Sequence, residues 1–263
     1  ELRPCLSAWN VLFDRDAPAE YAVGAAPPTS GAQHYFLHPW KGRLLVGTGH
    51  APREDTAGSP RPSQKELDDF LRAVNEAFPN LELSREDILH VYAGFLPAKH
   101  RCSSALAKEE MWIDHSNHGG PESLFSVQGT KFTAARSSAE KGIAHIYPDR
   151  TVSRKRRDTF QKLCAERGRE RGIFGYNWTP DTARSNWREH LSRIVEEESV
   201  VHLDDLILRR TSIGDNPKRA LEVASALCDL FDWTEKRRRQ EIKRVDEQFP
   251  RIHTSSFPVD ERT

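Results

Sequence analysis

The sequence predicts an α+β fold: a mainly antiparallel sheet with flanking helices, followed by an α-helical C-terminal domain. Three observations predict it. Short apolar segments of strand length, punctuated by glycine and proline, dominate the first part of the chain. Apolar residues at helical spacing take over from about Asn186. Between them, after Tyr147-Pro148, the composition turns basic and loses most of its apolar residues. The boundaries expected from these shifts are 1–147 for the sheet region, 148–185 for a basic linker, 186–250 for the helical domain and 251–263 for a tail.

The elements follow in order. Trp9 to Phe13 is a short apolar strand closed by Asp14-Arg-Asp16. Residues 25–31 are a loop by composition. His34 to Trp40 and Arg43 to Gly49 form two strands joined at Lys41-Gly42, where glycine supplies positive φ. Proline-rich residues 51–62 form a loop. Ser63 and Glu66 then make a capping box, Leu67, Phe70, Leu71, Val74 and Phe78 follow at helical spacing, and Pro79 ends the helix. Ile88 to Phe95 is another strand. Residues 98–122 are polar and read as loop with a short strand at Met111 to Ile113. Ser123 to Gln128 is an apolar strand; Gly129 is a turn; a helix opens on Thr130, Lys131 and Thr133. In the helical domain Asn216 caps a helix with Pro217 at its first position. Leu221, Ala224, Leu227, Cys228 and Phe231 make its apolar stripe, and Thr234 caps the next helix, with Ile242 and Val245 inward.

Bulk properties exclude several classes. A formal net charge of zero over 263 residues demands neither nucleic acid nor an anionic membrane. No apolar run approaches the ~20 residues of a membrane-crossing helix. Cys5, Cys102, Cys164 and Cys228 lie far apart and suit reduced thiols, not a disulfide framework or a zinc site. Met111 is the single methionine and the chain starts at Glu1, so a piece of a longer or processed protein is expected.

The stretch from Ser123 to Glu140 carries the most chemistry. A helix N-terminus leaves backbone N–H groups unpaired and attracts an anion. Lys131 adds a full positive charge, and Gly129 removes the side chain that would keep a ligand off the backbone. Packing alone is the alternative for such a turn.

Residues Ser126-Val-Gln-Gly-Thr-Lys-Phe-Thr-Ala-Ala-Arg136 resemble the C-terminal flavin-contacting motif of FAD-dependent (aerobic) glycerol-3-phosphate dehydrogenases. Three further segments resemble the same family in the same order: His38 to Thr48, Asp87 to Pro97 and Leu203 to Thr211. Together they span about residues 34 to 246. The resemblance implies that Gly129, Thr130, Lys131 and Phe132 contact FAD through their backbone and that the Lys131 side chain lies near the substrate. It implies hydride transfer from glycerol 3-phosphate to the flavin, giving dihydroxyacetone phosphate, with electrons passing to quinone or oxygen. It also implies a cytoplasmic protein, with peripheral contact at the inner membrane face in the full-length form.

Two positions depart from the family pattern. Thr130 stands where a second glycine is usual, and Leu96 in Gly94-Phe95-Leu96-Pro97 stands where the family has a substrate-binding arginine. Leucine cannot bind a phosphate, so Lys99, His100, Arg101 or Lys108 is expected to compensate, with Lys108 near a second phosphate-binding position. The catalytic base is unassigned. His38 and His50 could accept a proton near neutral pH, with a structural role as the alternative. Asp114, His115 and His118 have no helix to fix metal-binding geometry, so no metal is expected. Acidic residues interrupt the basic run from Arg150 to Arg171 and Phe160 is its one aromatic, which suits a solvated helix rather than a nucleic-acid surface. Arg209 and Arg210 are expected to pair with Asp204 and Asp205. No Gly-x-Gly-x-x-Gly fingerprint occurs, so the isolated chain is not expected to retain FAD or turn over. The alternatives are a non-catalytic partner-binding module and a flavin oxidoreductase for another hydroxy substrate.

Overall fold

The computed structural model describes residues 4–54, 58–129, 131–147, 149, 180 and 186–249. The expected linker falls largely outside the described residues, and the expected tail entirely so. Strand β1 (Cys5–Phe13) is an interior strand of a five-stranded sheet. It pairs antiparallel with β4 (Arg43–Pro52) on one side and β5 (Ile88–Pro97) on the other. Beyond β4 lie β3 (Tyr35–Trp40) and the short edge strand β2 (Val23–Ala25), again antiparallel. A separate ribbon pairs β6 (Met111–Asp114) with β7 (Phe125–Gln128). The α-helices are α1 (Gln64–Ala77), α2 (Ala135–Ile146), α3 (Trp187–Glu197), α4 (Pro217–Cys228) and α5 (Glu235–Gln248).

Local chemistry explains these elements. The β3–β4 turn places both Lys41 and Gly42 at positive φ, the backbone that a two-residue hairpin needs. Ser63 and Glu66 complete the expected capping box of α1. Strand β1 starts four residues earlier than its sequence suggests. Ser7 and Ala8 are weak strand formers, but pairing with Ala51, His50, Phe95 and Gly94 on both sides enforces the conformation. The Ser7 hydroxyl, wholly buried, donates to the Pro60 carbonyl.

The sheet has two unlike faces. Trp9, Val11 and Phe13 of β1 pack with Leu37, Leu44, Val46 and Val91 beneath Phe70, Leu71 and Val74 of α1. Each large side chain so buried contributes about 1.5–3 kcal/mol relative to exposure. Alternation turns Leu6, Ala8, Asn10 and Leu12 to the opposite face.

The helices from 187 to 248 share another core, in which Trp187, Leu191, Leu206, Ala224, Leu227 and Val245 meet. Asn216 caps α4 by accepting from the Arg219 N–H at 3.1 Å, with Pro217 at the first position, and Thr234 caps α5. The segment Asp205–Arg210 is π-helical, which sequence periodicity does not reveal. Arg209 pairs with Asp204 and Asp205 as expected. Arg210 turns instead to Glu198, at 3.4 Å.

A single carboxylate joins the sheet to the helices. Asp215, almost fully buried, accepts from Tyr92 Oη at 2.6 Å, Trp40 Nε1 at 3.0 Å and Lys41 Nζ at 3.2 Å. Beside it His90 packs edge-on against Tyr92 and Phe249.

Candidate active site

The ribbon and α2 carry the strand–turn–helix. Trp112 of β6 lies over Gly142 of α2, where an added Cβ would fall 2.2 Å from the indole ring. Glu110 holds the helix at the ribbon by bonding the Ser138 hydroxyl and Lys141 Nζ, the latter at 2.6 Å. His115 Nε2 and Ser126 Oγ tie the ribbon's end at 2.8 Å.

The turn itself is open. A Cβ at Gly129 would meet nothing within 4 Å, so packing among the described residues does not demand the glycine. Lys131 is extended and exposed and has no ion-pair partner among the described residues. Phe132 is 95% exposed. Thr130 lies outside the described residues. The helix does not open on Thr130, Lys131 and Thr133 as its sequence suggests. A 3₁₀ turn occupies Phe132–Ala134, and α2 begins at Ala135. This tight turn bonds the Ala134 N–H to the Lys131 carbonyl. It leaves the N–H groups of Phe132 and Thr133 without a partner inside the turn. Donors for an anion therefore remain, beside Lys131.

Lys108 sits elsewhere. The segment after β5 folds back on itself through an Ala98–Leu106 bridge, and the Ala107 N–H donates to Pro97 O at 2.9 Å. Lys108 is thereby placed next to the end of β5, exposed, and no described contact brings it to Lys131. Leu96 packs against Leu6, Ala8 and Ala98. An arginine head would be out of place in that apolar cluster, consistent with the change of residue.

The remaining candidates separate clearly. His38 and His50 share the face opposite α1, and β4 runs on to Pro52, so His50 lies within the strand rather than past it. Burial lowers the His50 basicity. Asp114 caps the short helical turn that follows it by accepting from Ser116 N and Oγ, which gives it a local structural role. Among the described residues, His202, Asp204 and Glu241 form a cluster of metal-ligand types. Arginines already serve its carboxylates, Arg244 at 2.8 Å from Asp204 and Arg237 at 2.7 Å from Glu241. Sequence reading missed Asp215 and His90. Their signal is three-dimensional, because Asp215 meets Trp40 and Tyr92, and His90 meets Phe249, across more than a hundred residues.

Residues 11–140 match the family model described as DAO, FAD dependent oxidoreductase, and this part of the chain belongs to that family. Within it, the chain is similar to glycerol-3-phosphate dehydrogenase of Synechocystis sp., at 25% identity over 172 residues, covering 64% of this chain and 29% of that protein. D-erythritol 1-phosphate dehydrogenase of Brucella abortus is 32% identical over 120 residues, covering 43% of this chain and 23% of that protein. A crystal structure of glycerol-3-phosphate dehydrogenase from Bacillus halodurans complexed with FAD superposes with a TM-score of 0.63 at 20% identity, over 93% of this chain and 56% of that one. That likeness establishes the fold. The chain thus spans less than a third of the length of these two curated relatives. No helix among the described residues is long and apolar enough to cross a membrane.

Proposed function

We propose that this chain is the substrate-covering and flavin-facing part of an FAD-dependent dehydrogenase that oxidises a phosphorylated polyol such as glycerol 3-phosphate and passes the electrons to quinone or oxygen. The observation that carries this reading is the open turn after β7. Gly129 leaves the backbone bare, Lys131 has no ion-pair partner among the described residues, Phe132 is exposed, and the family match runs through all of them. This geometry fits a flat, partly polar ring that gains negative charge on reduction. The residues present would hold the ring through the backbone of 129–132, with Lys131 countering charge at its edge. FAD supplies the hydride-accepting chemistry when bound. The sheet face opposite α1 covers the reacting carbon and excludes water, and a cation near the end of β5, such as Lys108, takes the phosphate. The helices from 186 to 249 act as a separate domain that closes the end of that face through Asp215.

Leu96 favours a second reading within the same class, a flavin oxidoreductase for another hydroxy substrate. The Brucella abortus relative carries D-erythritol 1-phosphate in its name. The test is the flavin absorbance of the holoenzyme containing this chain, before and after anaerobic addition of glycerol 3-phosphate. Bleaching of the oxidised band is expected. The Lys131→Ala variant should turn over about a hundredfold more slowly, by analogy with loss of one preorganised donor. A holoenzyme preparation without flavin would overturn the reading and leave a partner-binding module. Unchanged turnover in Lys131→Ala would remove the assigned site.

A further inference from the structure

The sheet face opposite α1 is closed at both ends and open in the middle. Leu6, Ala8, Leu96 and Ala98 pack together at one end. At the other, Asp215 holds Tyr92, and Phe249 lies against His90. Between these closures the register sets Asn10 beside Gly47 and Tyr92, and Ala8 beside His50 and Gly94.

Asn10 stands out within this opening. Every other residue of β1 is buried, whereas Asn10, near the middle of this interior strand, is partly exposed. Its Oδ1 accepts from Thr48 Oγ1 at 3.0 Å. Its amide nitrogen, which can only donate, has no acceptor among the described residues. The neighbours make room for it. A Cβ on Gly47 would fall 1.6 Å from Asn10 Oδ1, so glycine is required there. On the other flank Tyr92 stands opposite Asn10, and at the diagonal position Gly94, opposite Ala8, an added Cβ would meet nothing within 4 Å, so this face is open on that side of Asn10. A polar donor set into an otherwise apolar strand costs stability unless something accepts from it.

We propose that Asn10 is a substrate-contact residue whose amide donates to a hydroxyl or carbonyl oxygen of the polyol covered by this face. The inference rests on the dehydrogenase reading above and deepens it. An uncharged N–H donates equally well to an alcohol oxygen before reaction and to a ketone oxygen after it. Asn10 therefore fixes the carbon skeleton, and the phosphate is left to a cation. Thr48 aims the amide by occupying its oxygen.

The experiment uses the flavin-loaded holoenzyme containing this chain, with glycerol 3-phosphate and D-erythritol 1-phosphate as probes. Asn10→Ala is expected to raise KM about five- to tenfold, the loss of one net hydrogen bond, with the flavin spectrum unchanged. Asn10→Asp keeps the shape but has no donor and adds a negative charge, so its KM rises further. Because it is nearly isosteric, it also serves if Asn10→Ala loses flavin through misfolding. Flavin that bleaches at unaltered substrate concentration in both variants sinks the role of Asn10 and leaves the dehydrogenase standing. A wild-type holoenzyme that holds no flavin, or whose flavin neither probe bleaches, sinks the dehydrogenase reading and this inference with it.

Discussion

The five-stranded sheet under α1 and the ribbon of β6 and β7 under α2 are made of the same pieces, antiparallel strands and a helix, yet they bury very different things. The first packs Trp9, Val11, Phe13 and Phe70 into a shared core. The second buries one residue of α2, Gly142, and turns Leu124, Val127, Phe132, Ile143 and Tyr147 outward. Polar tethers from Glu110 and His115 hold it instead. A sheet with its own core can specify its geometry unaided, whereas the ribbon and α2 contribute little burial of their own. The candidate flavin-facing turn belongs to the region with little core, where apolar side chains remain available to something else.

The largest effect that sharpens this contrast comes from the cored region. Phe13 is fully buried at the end of β1, and Phe13→Ala should cost about 3–5 kcal/mol. Denaturant unfolding of the chain checks this. The same experiment on Val127→Ala should show a change within about 0.5 kcal/mol, because Val127 is half-exposed. Equal losses at the two sites would erase the distinction between the regions.

The junction through Asp215 comes next. Asp215→Ala strips the acceptor from Tyr92, Trp40 and Lys41 together and should cost about 2–3 kcal/mol. Tyr92→Phe removes one of the three and should cost about 1.5 kcal/mol. Thermal unfolding gives the size, and the Trp40 indole N–H resonance gives the place. A variant that melts normally with that resonance unmoved would mean that the sheet and helices do not depend on this contact.

His90 provides a test in pH. Burial, against the pull of Asp215, lowers its pKa from 6.5 to about 4. Between those values the unfolded chain binds the proton and the folded chain does not. The contribution is therefore complete above pH 6.5 and is lost as pH falls toward 4, on the order of 3 kcal/mol. His90→Leu should flatten that acid limb. A limb of unchanged slope in the variant would assign the acid sensitivity to the carboxylates.

How much of this was legible in the sequence depends on the range of the interactions. The capping box at Ser63 and Glu66, the Lys41-Gly42 turn and the Asn216-Pro217 start are local, and each appears where its residues say. The extension of β1 to Cys5, the π-helical segment and the Arg210–Glu198 pair depend on neighbours brought in by folding. The candidate turn was legible as a motif, and its family match includes the whole of it. Its helical register was not, because the 3₁₀ turn at Phe132 displaces the start of α2 without changing which residues are apolar. Asn10 escaped because a lone asparagine in an apolar run carries no pattern until the strand's two neighbours are known.

The smallest expected effect on stability is the most informative about the turn. Phe132 is 95% exposed and packs into no core cluster, so Phe132→Ala should leave the unfolding of this chain within about 0.5 kcal/mol of the parent. A ring that large is costly to leave in water, and its position beside Lys131 gives it a use only when another surface covers it. In the holoenzyme the same substitution should therefore lower flavin retention, measured as flavin-to-protein absorbance after gel filtration. Retention unchanged there, together with unchanged stability here, would show that the exposed ring serves neither the fold nor the cofactor. The site would then contract to the backbone at Gly129 and the charge of Lys131.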